Sequence, residues 1–295
     1  MTDSDDGTVT WRSLWAETER DHGRVHARWL CEEAAGVFGD EFVAVLDDAA
    51  TERSVAHLDH MLQRLQTGEP LQYVLGHWSF RSIDVMIDRR VLIPRPETEL
   101  VAEVAIERAK SFSPKSSQPI RCADLGTGSG AIGLSMLAEL PRGSAEVWLT
   151  DLSADALDVA RANGAGLGMA GSGARYAHGV WFDALPAELR GTLAVVVSNP
   201  PYIAEGDDRV DESVREWEPA SALYAGVDGL DDIRRIARGA VHWLCGGGWL
   251  VLEIGAGQGP AVEQVLAEAG LVEIEVRPDL AGHDRIASAR RMKSS

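Results

Sequence analysis

Apolar and polar positions change their spacing three times along this chain of 295 residues, and each change marks a different kind of element. Up to about Gly68 the spacing is three and four. Val55, Leu58, Met61 or Leu62, and Leu65 form one stripe, with Glu52, Arg53, Asp59 and Arg64 on the other faces, so the pattern predicts an amphipathic helix that closes before Gly68-Glu-Pro70. Trp11, Leu14 and Trp15, then Val25, Trp29 and Phe38, predict two earlier helices whose aromatic residues build a small core. From Tyr73 to Ile93 apolar residues alternate: Ile83, Val85 and Ile87, then Val91 and Ile93 around Asp88-Arg-Arg90, which reads as a β-hairpin joining two domains. Pro94 to Glu99 starts a helix that runs to about Lys110, because proline suits a first turn and carboxylates complement its dipole. Ser111 to Pro119 is a loop.

Beyond the loop, apolar runs alternate with helical stretches. Strands are expected at Arg121 to Leu125, Glu146 to Thr150, around Val195 and at Trp249 to Ile254. Helices are expected at Ala131 to Glu139, Ala154 to Asn163, Leu230 to Leu244 and Pro260 to Ala269. That order predicts an α/β class with a mostly parallel, doubly wound sheet. Val272 to Val276 and Arg285 to Ala289 have no helix between them and should pair antiparallel at an edge. The expected division is a helical domain over 1–72, a hairpin linker over 73–95 and an α/β domain over 96–295.

Composition narrows the function class. A net charge of −18 argues against broad binding to a phosphate backbone, and direct nucleic-acid contact is not expected. A hydrophobic share of 45% supports a real core. No apolar stretch approaches a membrane span, and the start Met-Thr-Asp-Ser-Asp-Asp lacks a signal pattern, so no membrane contact and a cytoplasmic, soluble chain are expected. Cys31, Cys122 and Cys245 are scattered without Cys-x-x-Cys spacing, which indicates neither a disulfide framework nor a metal site. Asp3 to Asp6 and Arg290 to Lys293 read as frayed ends of opposite charge.

Two motifs carry chemistry. Asp124-Leu-Gly126-Thr127-Gly128-Ser129-Gly130 follows a strand and opens a helix, where glycines let a ligand approach the backbone and the helix start offers unpaired N–H groups. Asp151 ends the next strand, positioned to accept from ribose hydroxyls. The motif by itself fits both NAD and S-adenosylmethionine. The Asp124 carboxylate favours a cationic ligand over a pyrophosphate. The second motif, Asn199-Pro200-Pro201-Tyr202, ends the apolar run Leu193 to Ser198. Two prolines stop the ladder and leave carbonyls free, Asn199 adds an acceptor oxygen, and Tyr202 adds a flat ring. Such a set suits a planar group bearing NH2, whereas an Asn-Pro turn is the plainer reading.

Gly126 to Gly130 followed by Asn199 to Tyr202 resembles the amino-methyltransferases that use S-adenosylmethionine. More narrowly, Gly68-Glu-Pro-Leu-Gln-Tyr73, Leu92-Ile-Pro-Arg-Pro-Glu-Thr-Glu99, Val197 to Ile203 and Trp217-Glu-Pro219 resemble the HemK/PrmC family. The resemblance implies a Rossmann-like class I methyltransferase sheet behind a helical substrate-binding domain. It also implies transfer of a methyl group from S-adenosylmethionine, leaving S-adenosylhomocysteine, to the glutamine amide in the Gly-Gly-Gln motif of class 1 peptide chain release factors, which modulates translation termination. By the same resemblance Asp124, Gly126 to Gly130, Asp151, Trp181 and Asn199 bind the cofactor, with Trp181 beside adenine. Asn199, Pro200, Pro201, Tyr202 and Arg95 bind the substrate, and Asn199, Pro200 and Tyr202 carry the catalysis. One departure stands out: Val180 occupies a position that is often acidic in the family. The rival reading is a DNA adenine amino-methyltransferase, since an exocyclic adenine amine suits the same acceptors.

Overall fold

The computed structural model describes residues 9–112, 118–207 and 211–293. The acidic tip Asp3 to Asp6 and the middle of the Ser111 to Pro119 loop lie outside the described residues. The chain divides into two compact units, Met1–Gly76 and His77–Ser295.

The first unit holds helices α1 (Trp11–His22), α2 (Arg24–Ala35), α3 (Asp40–Ala44), α4 (Glu52–Gln66) and α5 (Leu71–Leu75). Its core gathers Trp11, Leu14, Leu30, Phe42, Leu58 and Met61. Phe42 takes the central aromatic place, its ring 6.1 Å from that of Trp11. Val25, Trp29 and Phe38, expected in this core, are instead exposed. A three-to-four spacing cannot tell the buried stripe of α2 from its neighbour, and Ala27, Leu30, Cys31 and Ala34 form the one that packs inward. The Gly68-to-Tyr73 motif has a structural basis: Arg64 makes a bidentate bond to buried Glu69 (2.6 and 2.9 Å) and also donates to the carbonyls of Tyr73 and Val74, closing the turn onto α5.

Thr51 caps α4, its hydroxyl accepting from the Ser54 amide at 3.1 Å. Thr51→Ala leaves that amide without its partner and is expected to cost about 1 kcal/mol. A denaturant titration following the unfolding of the helical unit measures it.

The second unit opens with the hairpin β1 (His77–Phe80) and β2 (Ile83–Met86), in which Phe80 pairs with Ile83. The expected hairpin, with its turn at Asp88 to Arg90 and its start at Tyr73, is therefore misplaced: Tyr73 lies in α5 and the turn is Arg81-Ser82. Arg81 is not a usual turn residue, and its φ of 51° is held by a bidentate bond to Glu139 and a bond to the Glu99 carbonyl. After α6 (Pro96–Ser111) the chain alternates through β3 (Ile120–Leu125), α7 (Ala131–Glu139), β4 (Ala145–Asp151), α8 (Ala154–Gly166), β5 (Ala174–His178) and β6 (Leu193–Ser198). It continues through α9 (Glu212–Trp217), α10 (Asp231–Trp243), β7 (Leu244–Glu253), α11 (Gly259–Glu268), β8 (Leu271–Pro278) and β9 (Asp284–Arg291).

Seven strands form one sheet in the order β5-β4-β3-β6-β7-β9-β8. β3 to β7 are parallel, and β9 runs antiparallel to both β7 and β8, as the helix-free connection predicted. Arg290 and Arg291, expected as part of a frayed tail, close β9, where Arg290 is bound to Glu273 and the Gly247 carbonyl. α10 packs Ile233, Ile236, Ala237 and Ala240 into the core formed with β6 and β7.

The chain builds outward from β3 through β4 to β5, then returns to place β6 on the other side of β3. In open α/β sheets ligands bind at such a switch, beyond the carboxyl ends of the strands. Leu125 pairs with Ser198 there, and the Ser198 hydroxyl donates to the Leu125 carbonyl at 2.6 Å. Gly126 and Asn199, 73 residues apart, thus leave the sheet at the same level on adjacent strands.

Candidate active site

A cavity of about 410 Å³ opens where these two strands end. Its volume lies in the range of a drug-sized or nucleoside-like ligand. One side is the turn Gly126 to Ser129, in which Gly126 and Gly128 hold φ of 68° and 54°. The turn is strung on hydrogen bonds from below. The Thr127 amide donates to the Thr150 carbonyl, the Gly128 amide donates to Asp151 Oδ2 at 2.9 Å, and Asn163 Nδ2 donates to the Ser129 carbonyl at 2.8 Å. Asp151 Oδ1 accepts from the Ser153 amide, so both oxygens of the carboxylate are held in place where it lines the cavity. Burial raises the Asp151 pKa, and the Ser153 and Gly128 amides oppose the rise.

Asp124 is placed differently from expectation. It is 1% exposed and does not line the cavity; its Oδ2 accepts from the Thr127 hydroxyl at 2.6 Å and the Gly133 amide at 2.9 Å. It shapes the turn from within. Burial pushes its pKa up to about 6. The folded chain then binds that proton more tightly than the unfolded chain, whose carboxyl titrates near ~3.9. The resulting stability is fully present below the unfolded value and is lost as pH rises through about 6. Asp124→Asn retains an acceptor for both donors and removes the titration. Calorimetry of the ligand-free chain should show the variant gaining in melting temperature over the unsubstituted chain across that window. A difference constant with pH would exclude the titration.

Trp181 also lines the cavity. Its φ of 45° is strained for a bulky residue, and its indole N–H donates to Asp232 Oδ1 of α10 at 3.2 Å. A Cβ on Gly126 would stand 3.2 Å from the Trp181 ring, so the glycine is what lets the indole lie against the turn. Phe182 faces the core instead, stacked on Trp243. Val180 is 42% exposed on the wall, and Asp232, which sequence reading did not single out, supplies a carboxylate there.

Asn199 and Pro201 line the cavity, whereas Pro200 and Tyr202 do not. The Tyr202 hydroxyl donates to Glu253 Oε1 at 3.1 Å, and its carbonyl accepts from Gln258. Burial, reinforced by Glu253, raises the Tyr202 pKa and keeps it a donor. Glu253, 1% exposed, also accepts from Thr98 Oγ1 at 2.6 Å, and Thr98 in turn accepts from Asn199 Nδ2 at 3.4 Å. Neither Thr98 nor Glu253 was singled out from sequence. The available signal was a lone carboxylate ending the apolar run Trp249 to Leu252.

Arg95 does not line the cavity either. It pairs with buried Glu218 at 2.5 Å, and Glu218 also accepts from the Ile93 amide at 3.3 Å. Burial raises the Glu218 pKa, and Arg95 opposes it. Arg89 lies 3.8 Å over the Trp217 ring. The motif Trp217-Glu-Pro219 thereby pins residues 89–95, whose Arg90, Val91, Leu92 and Pro94 line the cavity.

The model of the PrmC N-terminal domain matches residues 10–76, and that of the methyltransferase small domain matches residues 110–216. The release factor glutamine methyltransferase of Neisseria gonorrhoeae is 42% identical over 236 residues, 80% of this chain and 81% of that protein. That of Bordetella pertussis is 39% identical over 264 residues, 90% of this chain and 93% of that protein. Among solved structures, a methyltransferase from Pyrococcus furiosus shares the fold, with a TM-score of 0.51 and 14% identity over 79% of this chain and 99% of that one.

Proposed function

The chain belongs to the release factor glutamine methyltransferase family, and on that premise we propose that it methylates the glutamine side-chain amide in the Gly-Gly-Gln motif of class 1 peptide chain release factors. It is an S-adenosylmethionine-dependent protein glutamine N-methyltransferase, and its place of work is the cytoplasm, where translation terminates. No described helix is long and apolar enough to cross a membrane. The observation that carries the reading is the convergence of Asn199 and the Gly126 to Ser129 turn on one cavity, produced by the pairing of β3 with β6.

The residues present fit the cofactor. The glycine turn gives close backbone approach, Asp151 offers lone pairs for ribose hydroxyls, and Trp181 offers a flat apolar face. When bound, S-adenosylmethionine supplies an electrophilic methyl group on a sulfonium. The chain's own task is positioning, because an amide nitrogen is a poor nucleophile whose lone pair is delocalised into its carbonyl. Asn199 Oδ1, on a residue that lines the cavity, would accept an amide hydrogen and aim that nitrogen. Such alignment is worth roughly 7–11 kcal/mol at best. The same dipole faces the positive charge that builds on nitrogen during transfer. No general base is required, since the N-methylated, protonated amide is strongly acidic and loses its proton to water.

The helical unit is proposed to grip the release factor. Incubation with labelled S-adenosylmethionine and either an intact class 1 release factor or duplex DNA tests the substrate. Label on the glutamine of the release factor is expected, and label on DNA alone would overturn the reading.

A further inference from the structure

We propose that Glu253, acting through Thr98, fixes which end of the Asn199 carboxamide faces the substrate. The proposal deepens the functional reading above and rests on it. Three elements bring the groups together. Asn199 follows Ser198 of β6, and Glu253 follows Leu252 of β7, the residue paired with Ser198, so the two side chains start at the same level of adjacent strands. Thr98 stands in the first turn of α6, 4% exposed, between them.

The direction of each hydrogen bond follows from valence. The Thr98 Oγ1 to Glu253 Oε2 distance of 2.6 Å falls in the range of a charge-assisted bond to a carboxylate. An ionised carboxylate accepts only, so Thr98 spends its single proton there. The other oxygen is taken by the Tyr202 hydroxyl at 3.1 Å. With its proton committed, the Thr98 hydroxyl has only lone pairs for Asn199, and the group that meets them is the NH2 at 3.4 Å. Anchoring the NH2 leaves Oδ1 as the end available to the cavity that Asn199 lines. A flipped Asn199 would set oxygen against oxygen at Thr98 and NH2 against the NH2 of the incoming amide.

Glu253 itself is no base for the reaction. It is 1% exposed and both its oxygens are occupied. Burial raises its pKa and Glu97 of α6 adds to the rise, while the bonds from Thr98 and Tyr202 and the charge of Arg285 of β9 oppose it. Such a carboxylate is costly to bury unless its oxygens are bonded, and the bonds it makes lead to both polar side chains of the Asn199-to-Tyr202 motif.

Kinetics with Thr98→Val, Thr98→Ser and Glu253→Gln, alongside calorimetric titration of S-adenosylmethionine, test the relay. Thr98→Val is expected to lower kcat by about tenfold or more, with the cofactor Kd changed less than about threefold. Thr98→Ser restores the hydroxyl and should recover kcat to within about threefold of the unsubstituted chain. Glu253→Gln must turn its NH2 toward one of two donors and should also lower kcat. An unchanged kcat in Thr98→Val, or an equal loss in Thr98→Ser, overturns the proposal. The NH2 resonances of Asn199 in the substrate-free protein give a second measurement. They should shift in Thr98→Val, and an unshifted pair overturns the relay. A chain that shows this shift yet fails to methylate the release factor would refute the functional reading alone.

Discussion

Asn199→Ala should reduce kcat for methylation of the release factor glutamine on the order of 10²–10³-fold, the usual effect of removing one preorganised group that faces developing charge. The affinity for S-adenosylmethionine should change little, because the turn at Gly126 to Ser129 is hung on Thr150, Asp151 and Asn163 and not on Asn199. The contrast between the two quantities is what identifies the role. Loss of both would mean that Asn199 supports the cavity as a whole, and a kcat near that of the unsubstituted chain would remove it from the chemistry. Asn199→Asp sharpens the result. It keeps an acceptor but gives up the NH2 that meets Thr98, and it places a second carboxylate beside a hydroxyl already committed to Glu253. Its activity should lie nearer that of alanine than that of asparagine. Single-turnover transfer with labelled cofactor, beside calorimetric titration, measures both quantities.

Sequence periodicity was informative wherever one physical requirement dominated. A strand buried on both faces must be apolar throughout, and Leu193 to Ser198, every residue of which is buried, could hardly be read as anything else. β5 went unseen because Ala174 to His178 is an edge strand without a single fully buried residue, so it carries no apolar run. The hairpin was displaced by the same logic in reverse. Ile83, Val85 and Ile87 alternate visibly, whereas the turn rests on Arg81, whose conformation depends on Glu139, 58 residues away. Within the site, the two motifs were legible as local patterns: glycines at a strand end and prolines at another. Their adjacency required the order of strands, which no local pattern contains. Thr98 and Glu253 were illegible for a related reason. Thr98 is one of three consecutive polar residues, Glu97 to Glu99, and Glu253 only ends an apolar run, while their pairing spans 155 positions. Asp124 was legible as special but was assigned to the ligand, because sequence shows that a carboxylate precedes the glycines without showing that it turns inward to hold them.

Gly126→Val should nearly abolish binding of S-adenosylmethionine, by about a hundredfold or more, since strain and crowding act together. A left-handed backbone costs an ordinary residue roughly 1–2 kcal/mol, and a β-branched one suffers most. Gly126 sits at φ 68°, and even its first added carbon would meet the Trp181 ring at 3.2 Å. The indole cannot simply retreat, because its N–H is held by Asp232 and its own backbone is already at φ 45°. Valine must therefore distort the turn or displace the indole packed against it, and either change reshapes the cavity. Gly128→Ala provides the control. Gly128 is also left-handed, at φ 54°, but no atom lies within 4 Å of its added carbon, so strain acts there without crowding against the protein. Its binding loss should be smaller, about tenfold, if strain alone matters. A loss as large as that of Gly126→Val would show that the added methyl occupies space the ligand needs. Calorimetric titration with both S-adenosylmethionine and S-adenosylhomocysteine, with melting temperatures recorded for each variant, separates these outcomes. Valine at 126 binding as glycine does would mean that this turn is not the cofactor cradle.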